Sequence, residues 1–338
     1  MHKPVVAVVS TGGTISCAPA NGADGGLVPT SVPAESVELG DVAVRSVPWN
    51  LASSAEITFD EVVALAREIE RQAGDGADAV VVTQGTDTLE EVAYALSLLR
   101  PLGQPVVLTA AMRAPTLAGS DASANLAAAI AAAIAPGLSE ATCGAVVVMN
   151  DQIHSAKWVQ KAHTQRLDAF ASFGFGEIGV ISEGRPILLG SDVPSSIPPL
   201  LPTDTGQDIK VALLTATLDQ DTRLIQAIPE LGYHGLVIAG VGGGHVSEAA
   251  ADVLGEVAHS IPVVYASRTF GGAVLTNTYG SPGAEIDLIR RGCVPSGLLS
   301  ALKTRVLLTM LLRSGYRRRQ AESVLALEGS GVRAPRHL

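Results

Sequence analysis

Short runs of β-branched apolar residues alternate with longer alanine- and leucine-rich segments along most of the chain. Such continuous apolar runs are typical of strands buried on both faces of a parallel sheet. Thr58 followed by Glu61 predicts a capping box, and apolar positions at helical spacing continue to Ile69. The predicted strands are residues 5–10, 78–83, 106–108, 145–149, 211–214, 236–239 and 261–265, and the predicted helices are residues 58–69, 89–99, 123–134 and 300–312, with another that begins at 247.

Alternating strands and helices predict an α/β fold in which helices cover both faces of a parallel sheet. The pattern changes near residue 188, and four prolines at 194, 198, 199 and 202 predict a linker. We therefore predict a larger N-terminal α/β domain over residues 1–190, a linker over 191–207 and a smaller C-terminal α/β domain over 208–338. The length of 338 residues agrees, because single cores rarely grow beyond about 250–300 residues.

Composition and charge exclude several functional classes. Hydrophobic residues make up 47% of the chain and charged residues 17%, which favours packed cores over disorder. The net charge of −10 disfavours a nucleic-acid partner, because such partners require a basic surface. Cys17, Cys143 and Cys293 form no Cys-x-x-Cys pair, which suits a reducing compartment. The first strand begins almost at once and no apolar run has membrane length, so we predict a cytoplasmic protein without a secretory leader.

Two hydroxyl-rich turns directly follow predicted strands. Residues 11–14 (Thr-Gly-Gly-Thr) come after the first strand and residues 84–88 (Gln-Gly-Thr-Asp-Thr) after the second. In open α/β sheets ligands bind beyond the carboxyl ends of the strands, and glycine lets a ligand or another chain segment approach the backbone closely. The two turns therefore predict one site. Residues 19–33, rich in Gly, Pro and Ala, predict a mobile loop beside it that is a candidate lid.

Several candidate residues allow more than one interpretation. Asp87 could bind an amine and take part in proton transfer, could cap the helix that begins near Leu89, or could do both. Most lysines are solvated surface charges, but Lys161 paired with Asp87 could relay a proton from a neighbouring threonine. Residues 240–244 resemble part of a dinucleotide-binding motif, yet His245 replaces its third glycine, so no nucleotide cofactor is predicted. The histidines lack metal-ligand spacing, and no metal is predicted.

Four motifs, in this order, resemble the bacterial-type L-asparaginase family. They are residues 10–15 (Ser-Thr-Gly-Gly-Thr-Ile), 84–91 (Gln-Gly-Thr-Asp-Thr-Leu-Glu-Glu), 111–113 (Ala-Met-Arg) and 148–151 (Val-Met-Asn-Asp). The similarity continues through residues 232–242 and 284–287, so it spans nearly the whole chain.

The resemblance implies a two-domain hydrolase that converts asparagine to aspartate and ammonia through an acyl-threonine ester, without metal or cofactor. Thr14 matches the nucleophile of the family. Thr86, Asp87 and Lys161 match its second catalytic group. An ester intermediate divides one high barrier into two lower ones, which suits an amide because amides are poor electrophiles.

The resemblance also implies how the substrate is bound. Ser54 matches the serine that binds the α-carboxylate, and Gly13 and Gly85 belong to the motifs expected to contact substrate. Backbone N–H groups near Thr86 and Ala111 are expected to stabilise the oxyanion. Glu285 matches an acid that the family donates from a neighbouring subunit, which implies a homodimer or homotetramer.

Three positions depart from the family pattern. No tyrosine precedes Tyr94, although the family usually carries a lid tyrosine after its first motif, and Tyr279 is the candidate substitute. Ala55 stands at a substrate-binding position where many members have glutamine, and His245 stands where asparagine is frequent. The last two departures concern substrate preference and affinity rather than the reaction.

Two alternative functions remain open from sequence. A glutaminase-asparaginase is one, because glutamine differs from asparagine by one methylene, which a pocket discriminates by only about 1–3 kcal/mol. The other is a non-catalytic amino-acid-binding protein with the same fold, although that function would not require Thr14 and Lys161. A tRNA-linked amidotransferase subunit, which also resembles this family, would need an additional amino-terminal domain.

Overall fold

The computed structural model describes residues 3–19, 27–29, 40–99, 106–142, 144–192, 197–202 and 208–330. The chain divides into two compact units, Met1–Val193 and Pro194–Leu338. The predicted linker bounds of 191–207 stay a prediction, because residues 193–196 and 203–207 lie outside the described residues. No helix in the described part of the chain is long and apolar enough to span a membrane.

An eight-stranded sheet forms the centre of the first unit. In chain order the strands of this unit are β1 (Val5–Gly12), β2 (Cys17–Pro19), β3 (Leu27–Pro29), β4 (Ala43–Ala52), β5 (Ala79–Thr83), β6 (Val106–Thr109), β7 (Ala145–Met149), β8 (Gln152–Ser155), β9 (Gln160–Lys161), β10 (Phe170–Ala171), β11 (Gly179–Ser182) and β12 (Arg185–Leu188). The large sheet has the order β12-β11-β8-β7-β6-β5-β1-β4. Its strands from β7 to β4 run parallel, and β8, β11 and β12 continue it in antiparallel fashion.

The described part of the first unit contains the helices α1 (Phe59–Gly74), α2 (Leu89–Leu99), α3 (Ala122–Ala133) and the short α4 (Leu138–Ala141). The side chains of Val6, Val8, Val81 and Val107 pack with α3 in one core, because alternate residues of a strand face the same side of a sheet. Helices α1 and α2 contact each other and the strands β5, β6 and β7. The central strands are therefore buried on both faces, which explains their continuous apolar runs.

The direction of the chain crossovers reverses between β1 and β5, which are neighbours in the sheet. From β1 the chain goes to β4 on one side, whereas from β5 it goes to β6 on the other side. Such a reversal opens a crevice at the carboxyl ends of the two strands, where ligands bind in open α/β sheets. The fold thus places the two hydroxyl-rich turns at this crevice.

The second unit contains a four-stranded parallel sheet, β13 (Val211–Thr215), β14 (Gly235–Gly240), β15 (Val263–Ser267) and β16 (Val294–Pro295), in unbroken chain order. Its helices are α5 (Arg223–Ala227), α6 (Glu248–Val257), α7 (Glu285–Arg290), α8 (Ala301–Arg313) and α9 (Arg318–Gly329). Because the strand order never reverses, this sheet has no crevice of the kind found between β1 and β5.

The predicted α/β fold class is confirmed, and the predicted strands of the parallel sheets are present with small shifts at their ends. The capping box of α1 also forms, because Glu61 N–H donates to Thr58 Oγ1 at 3.2 Å and Thr58 N–H donates to Glu61 Oε2 at 2.7 Å. The loop predicted over residues 19–33 needs a correction, since β2 and β3 pair as antiparallel strands. Residues 20–26 and 30–33 of that loop lie outside the described residues.

Candidate active site

Three backbone turns meet at the crevice with no space for side chains between them. Gly12, the last residue of β1, and Gly13 after it lie in the left-handed region, with φ of 99° and 83°. A Cβ atom on Gly13 would lie 2.2 Å from the backbone nitrogen of Gly85, and a Cβ on Gly85 would lie 2.6 Å from Ser54 Oγ. Only glycine allows this close approach of the turns that follow β1, β4 and β5.

A cleft of about 370 Å³ opens where these turns meet, a volume that suits a small molecule. The described residues that line it are Gly13, Thr14, Cys17, Leu27, Ser53, Ser54, Gly85, Thr86, Asp87, Met112, Lys161 and Thr164. The structure therefore brings together Thr14, Ser54, Thr86, Asp87 and Lys161, which come from four separate places in the sequence. Within the described residues, no group of three or more His, Cys, Asp or Glu side chains is arranged to hold a metal ion.

Lys161 connects the two polar side chains of the second turn. Its Nζ donates to Thr86 Oγ1 at 2.8 Å and to Asp87 Oδ1 at 2.6 Å. The lysine comes from β9, which pairs with β10, and Glu90 Oε1 accepts its backbone N–H at 3.4 Å. The Asp87 side chain is 67% exposed, whereas that of Lys161 is 16% exposed. Asp87 pairs with Lys161, and its second predicted role, as a cap of α2, stays a prediction.

Thr14 begins a single 3₁₀ turn, Thr14–Ser16, which the N–H of Ser16 closes by donating to Gly13 O at 2.9 Å. The residue is half-buried and lines the cleft. Its hydroxyl makes no hydrogen bond to any of the residues that the structure describes. A basic side chain therefore contacts the Thr86 hydroxyl, whereas none of the described side chains is hydrogen-bonded to the Thr14 hydroxyl.

Ser54 is buried at the cleft in the 3₁₀ turn Ser54–Glu56 that follows β4. Thr88 Oγ1 donates to Ser54 O at 2.7 Å, and Gln84 Nε2 donates to Thr88 Oγ1 at 3.2 Å. These bonds attach the Ser54 turn to the turn after β5. The backbone of Ser54 is consequently held next to the turn that carries Thr86.

Two predicted substrate-binding residues do not line the cleft within the described residues. Ala111 is fully buried, and the neighbouring Met112 lines the cleft instead. Ala55 is exposed to solvent beside Ser54. Contact of either residue with a substrate stays a prediction.

Glu285 lies in the second unit and is completely buried there. Its Oε1 accepts the N–H groups of Thr278 at 2.6 Å and Tyr279 at 2.5 Å, and its Oε2 bonds His245 Nε2 at 2.8 Å. Burial raises the pKa of the Glu285 carboxyl, but these hydrogen bonds outweigh burial and leave the pKa below its usual value. The more exposed members of this group are Tyr279 and His245, whose rings pack edge to face 5.5 Å apart. The role of Tyr279 as substitute for a lid tyrosine stays a prediction.

The sequence interpretation missed Cys17, Leu27, Ser53 and Thr164 at the cleft. The spacing of Thr14 and Cys17 could have indicated that Cys17 lines the cleft. The two residues are three apart along a 3₁₀ turn, and side chains at this spacing lie on the same face. The thiol of Cys17 donates to Gly13 O at 3.1 Å. Burial raises the pKa of this thiol, so it stays protonated and is a poor nucleophile.

Comparison with protein families agrees with both units. The model "Asparaginase, N-terminal" matches residues 5–193, and the model "Glutaminase/Asparaginase C-terminal domain" matches residues 210–325. The chain belongs to the asparaginase family. The resemblance inferred from the sequence motifs is thus confirmed.

Relatives of this asparaginase-family chain cover almost all of it. It is 35% identical over 323 residues to an L-asparaginase of Bacillus licheniformis, covering 93% of this chain and 97% of the relative. It is 36% identical over 324 residues to a probable L-asparaginase of Deinococcus radiodurans, covering 95% and 97%. The crystal structure of a probable cytoplasmic L-asparaginase from Campylobacter jejuni superposes with a TM-score of 0.82 at 28% identity, covering 96% of this chain and 99% of that one.

Proposed function

We propose that the protein is an L-asparaginase, which hydrolyses L-asparagine to L-aspartate and ammonia. The observation that carries the proposal is the contact of Lys161 Nζ with both Thr86 and Asp87, in the same cleft as Thr14. Membership of the asparaginase family and the names of the relatives support the same reaction.

The proposed reaction has two steps. In the first, Thr14 Oγ1 bonds to the side-chain amide carbon, the C–N bond breaks, and nitrogen leaves as ammonia with the hydroxyl proton. In the second, a water oxygen bonds to the acyl carbon, the ester C–O bond breaks and a proton returns to Thr14.

Thr86 and Lys161 serve the second step, because the basic group stands beside Thr86 at 2.8 Å. Asp87 Oδ1, 2.6 Å from Nζ, holds the Lys161 side chain beside Thr86, where it can relay the proton that Thr86 takes from the water. Thr86 then orients and deprotonates the attacking water.

The cleft also offers groups for the two ends of the substrate. The exposed carboxylate of Asp87 is placed to bind the α-ammonium, and the Ser54 hydroxyl is placed to bind the α-carboxylate. Holding both ends fixes the amide carbon relative to Thr14, and such positioning contributes several kcal/mol, roughly 7–11 at most, to a rate enhancement. Gly13 and Gly85 let the turns after β1 and β5 pack directly against each other at the cleft, which brings Thr14 and Thr86 together.

Substitution of the two threonines tests the reaction. We expect Thr14→Ala to lower kcat for ammonia release from asparagine by about a thousandfold or more. Thr164→Ala, in another residue that lines the cleft, is the matched control and should stay active. In Lys161→Met protein quenched during turnover, mass spectrometry should find an aspartyl ester on the peptide that contains Thr14.

Other outcomes separate the alternatives. An ester on Thr86 would reassign the nucleophile. Asparagine binding by calorimetry without ammonia release from the wild type would mean a non-catalytic amino-acid-binding protein. Full activity of Thr14→Ala would contradict the proposed mechanism.

A glutaminase-asparaginase is the second candidate, and the match to the "Glutaminase/Asparaginase C-terminal domain" model favours it. The ratio of kcat/KM for asparagine to kcat/KM for glutamine distinguishes the two. A ratio near one would establish the broader enzyme.

We also propose that the chain forms a homodimer or homotetramer in which the Glu285 region adjoins the cleft of a neighbouring copy. Both oxygens of Glu285 are already bonded within its own unit, so it would act by orienting His245 rather than by touching the substrate. Light scattering gives the mass of the assembly. A purely monomeric active enzyme would exclude this arrangement.

A cytoplasmic location is our proposal for the site of action. The absence of a Cys-x-x-Cys pair and the likeness to a probable cytoplasmic L-asparaginase support it. A 31% identical relative from Haemophilus influenzae, however, is a probable periplasmic L-asparaginase. Fractionation of the source cells tests the proposal, and recovery of the protein outside the cytoplasm would contradict it.

A further inference from the structure

One wall of the cleft is formed by Met112, in the loop that follows β6. The backbone of this loop is hydrogen-bonded to the buried carboxylate of Asp121. Asp121 Oδ2 accepts Met112 N–H at 2.9 Å, and Asp121 Oδ1 accepts Arg113 N–H at 2.9 Å. No cationic side chain of the described part pairs with Asp121. Its charge is therefore stabilised by N–H donors alone.

Asp121 directly precedes α3, where the ordinary role of aspartate is to cap the helix. Its side chain makes no cap hydrogen bond to α3. Ser120 Oγ instead accepts Ala122 N–H at 3.2 Å at this end of the helix. Helix capping therefore does not explain the buried carboxylate.

Asn125, in the first turn of α3, completes the support. Its Nδ2 donates to Asp121 Oδ2 at 2.9 Å and to Ala110 O at 3.0 Å, and its Oδ1 accepts Asn150 N–H at 3.0 Å. The asparagine is buried, so all three contacts lie in the interior of the first unit. Asp121 and Asn125 thus connect the loop after β6 with the turn after β7.

These contacts fix both peptide planes that flank Ala111. A trans peptide directs its C=O and N–H to opposite sides. The carbonyl of Ala110 is bonded to Asn125, so the N–H of Ala111 in the same peptide points away from Asn125. The N–H of Met112 is bonded to Asp121, so the carbonyl of Ala111 in that peptide points away from Asp121. Neither group of Ala111 has a hydrogen-bond partner among the residues that the structure describes, although buried backbone groups are nearly always paired.

We propose that Asp121, supported by Asn125, is a positioning residue of the enzyme, which sets the direction of the Ala111 peptide groups and the place of Met112 in the cleft wall. The kinetic part of this inference rests on the proposed asparaginase function. The conformational part does not. Asp121 touches no substrate; it acts through the backbone of Met112 and Arg113.

The substitution Asp121→Asn keeps the size of the side chain and removes its charge. Asparagine has one oxygen that can accept a backbone N–H, whereas the carboxylate of Asp121 accepts one N–H with each of its two oxygens. We expect Asp121→Asn to lower kcat about ten- to a hundredfold, with a smaller change of KM, because a displacement of about 1 Å at a reacting centre costs this much. Ser300→Ala is the control, since it removes the cap of α8 in the second unit. It should lower Tm while kcat and KM stay at wild-type values.

A second readout does not depend on activity. The chain contains only four methionines, at positions 1, 112, 149 and 310, so methyl-labelled methionine gives four NMR signals. In Asp121→Asn the Met112 signal should shift or broaden, while that of Met310, buried in α8, stays in place. In Ser300→Ala the Met112 signal should not move.

The outcomes are distinguishable. Wild-type kcat together with an unchanged Met112 signal in Asp121→Asn would overturn the inference, and so would an equal loss of kcat in Ser300→Ala. If Asp121→Asn fails to fold, Asp121→Ser is measured in the same way, since serine is tolerated before a helix and offers one acceptor for two N–H donors. If wild-type protein releases no ammonia from asparagine, the proposed function fails, whereas the Met112 signal still decides whether Asp121 holds the cleft wall.

Discussion

At the scale of single residues, His154 shows how burial determines charge. It lies in β8, is almost fully buried, and its Nδ1 bonds Ser172 Oγ at 3.1 Å. Its Nε2 has no partner in the described part of the chain. Burial lowers the pKa of this imidazole to about 4, so it is neutral in the folded protein at neutral pH.

The shift of His154 predicts a pH dependence of stability. Between its ordinary pKa of about 6.5 and the folded value of about 4, the unfolded chain binds a proton that the folded chain does not. The free energy of unfolding should therefore fall as pH falls through this window, by about 3 kcal/mol in total. Urea unfolding at several pH values measures it, and His154→Gln should reduce the slope.

The control for that experiment is His163→Gln, at an exposed position after β9. It should leave the slope as in the wild type. If His154→Gln kept the full slope, other groups would be responsible for the loss of stability in acid.

Gly13 and Gly76 form a matched pair for testing the closeness of the turns. Both have positive φ, 83° and 85°, but a Cβ on Gly13 would collide with Gly85, whereas one on Gly76 would meet open space. We expect Gly76→Ala to cost about 1 kcal/mol of stability and no activity. Gly13→Ala should lose more stability and most of kcat, as measured by unfolding and ammonia release. Equal effects of the two variants would mean that the close approach does not matter.

The sequence predicted residues of the cleft mainly where they belong to a distinctive motif. Thr14, Thr86, Asp87 and Lys161 all line the cleft. The sequence could not show whether Ala111 or Met112 lines the cleft, because the folded loop determines which of two neighbouring residues is exposed. Nor could it foresee that Glu285 is fully bonded within its own unit, since Thr278 and Tyr279 contribute backbone N–H groups, which carry no sequence signal.

At the scale of elements, the sequence predicted the buried strands and helices and missed the edge strand and the short antiparallel strands. The strands from β1 to β7 that are covered on both faces have continuous apolar runs and were predicted, as were the helices α1, α2, α3 and α8. The edge strand β4 was missed because Arg45, Ser46 and Asn50 interrupt its apolar pattern. The antiparallel β8, β11 and β12 have only four residues each, too few to show a period.

At the scale of the whole molecule, the crevice between β1 and β5 contains the polar side chains of Thr14, Ser54, Thr86, Asp87 and Lys161, whereas the order of the described strands in the second unit does not reverse. The contribution of the second unit to the reaction is therefore a question of assembly. Its buried carboxylate at Glu285, with the partly exposed His245, is the group through which we expect it to act.

Mixed assemblies test whether sites are shared between copies. Co-expressed Thr14→Ala and Glu285→Gln chains should recover activity that neither variant has alone, because one copy supplies an intact cleft and the other an intact Glu285. The control pair, Thr14→Ala with Thr86→Val, damages the same cleft in both chains and should recover nothing. Ammonia release measures both. Equal behaviour of the two pairs would exclude sites completed by a neighbouring copy.

The glycine contacts between the three turns limit how this catalyst can be redesigned. A side chain introduced at Gly13 or Gly85 collides with backbone or with Ser54, so neither glycine is a position at which a single exchange can reshape the cleft. Leu27, Met112 and Thr164 border the same space with side chains that can be replaced. Directed evolution toward other amides should therefore select substitutions at Leu27, Met112 and Thr164, while Gly13 and Gly85 stay unchanged.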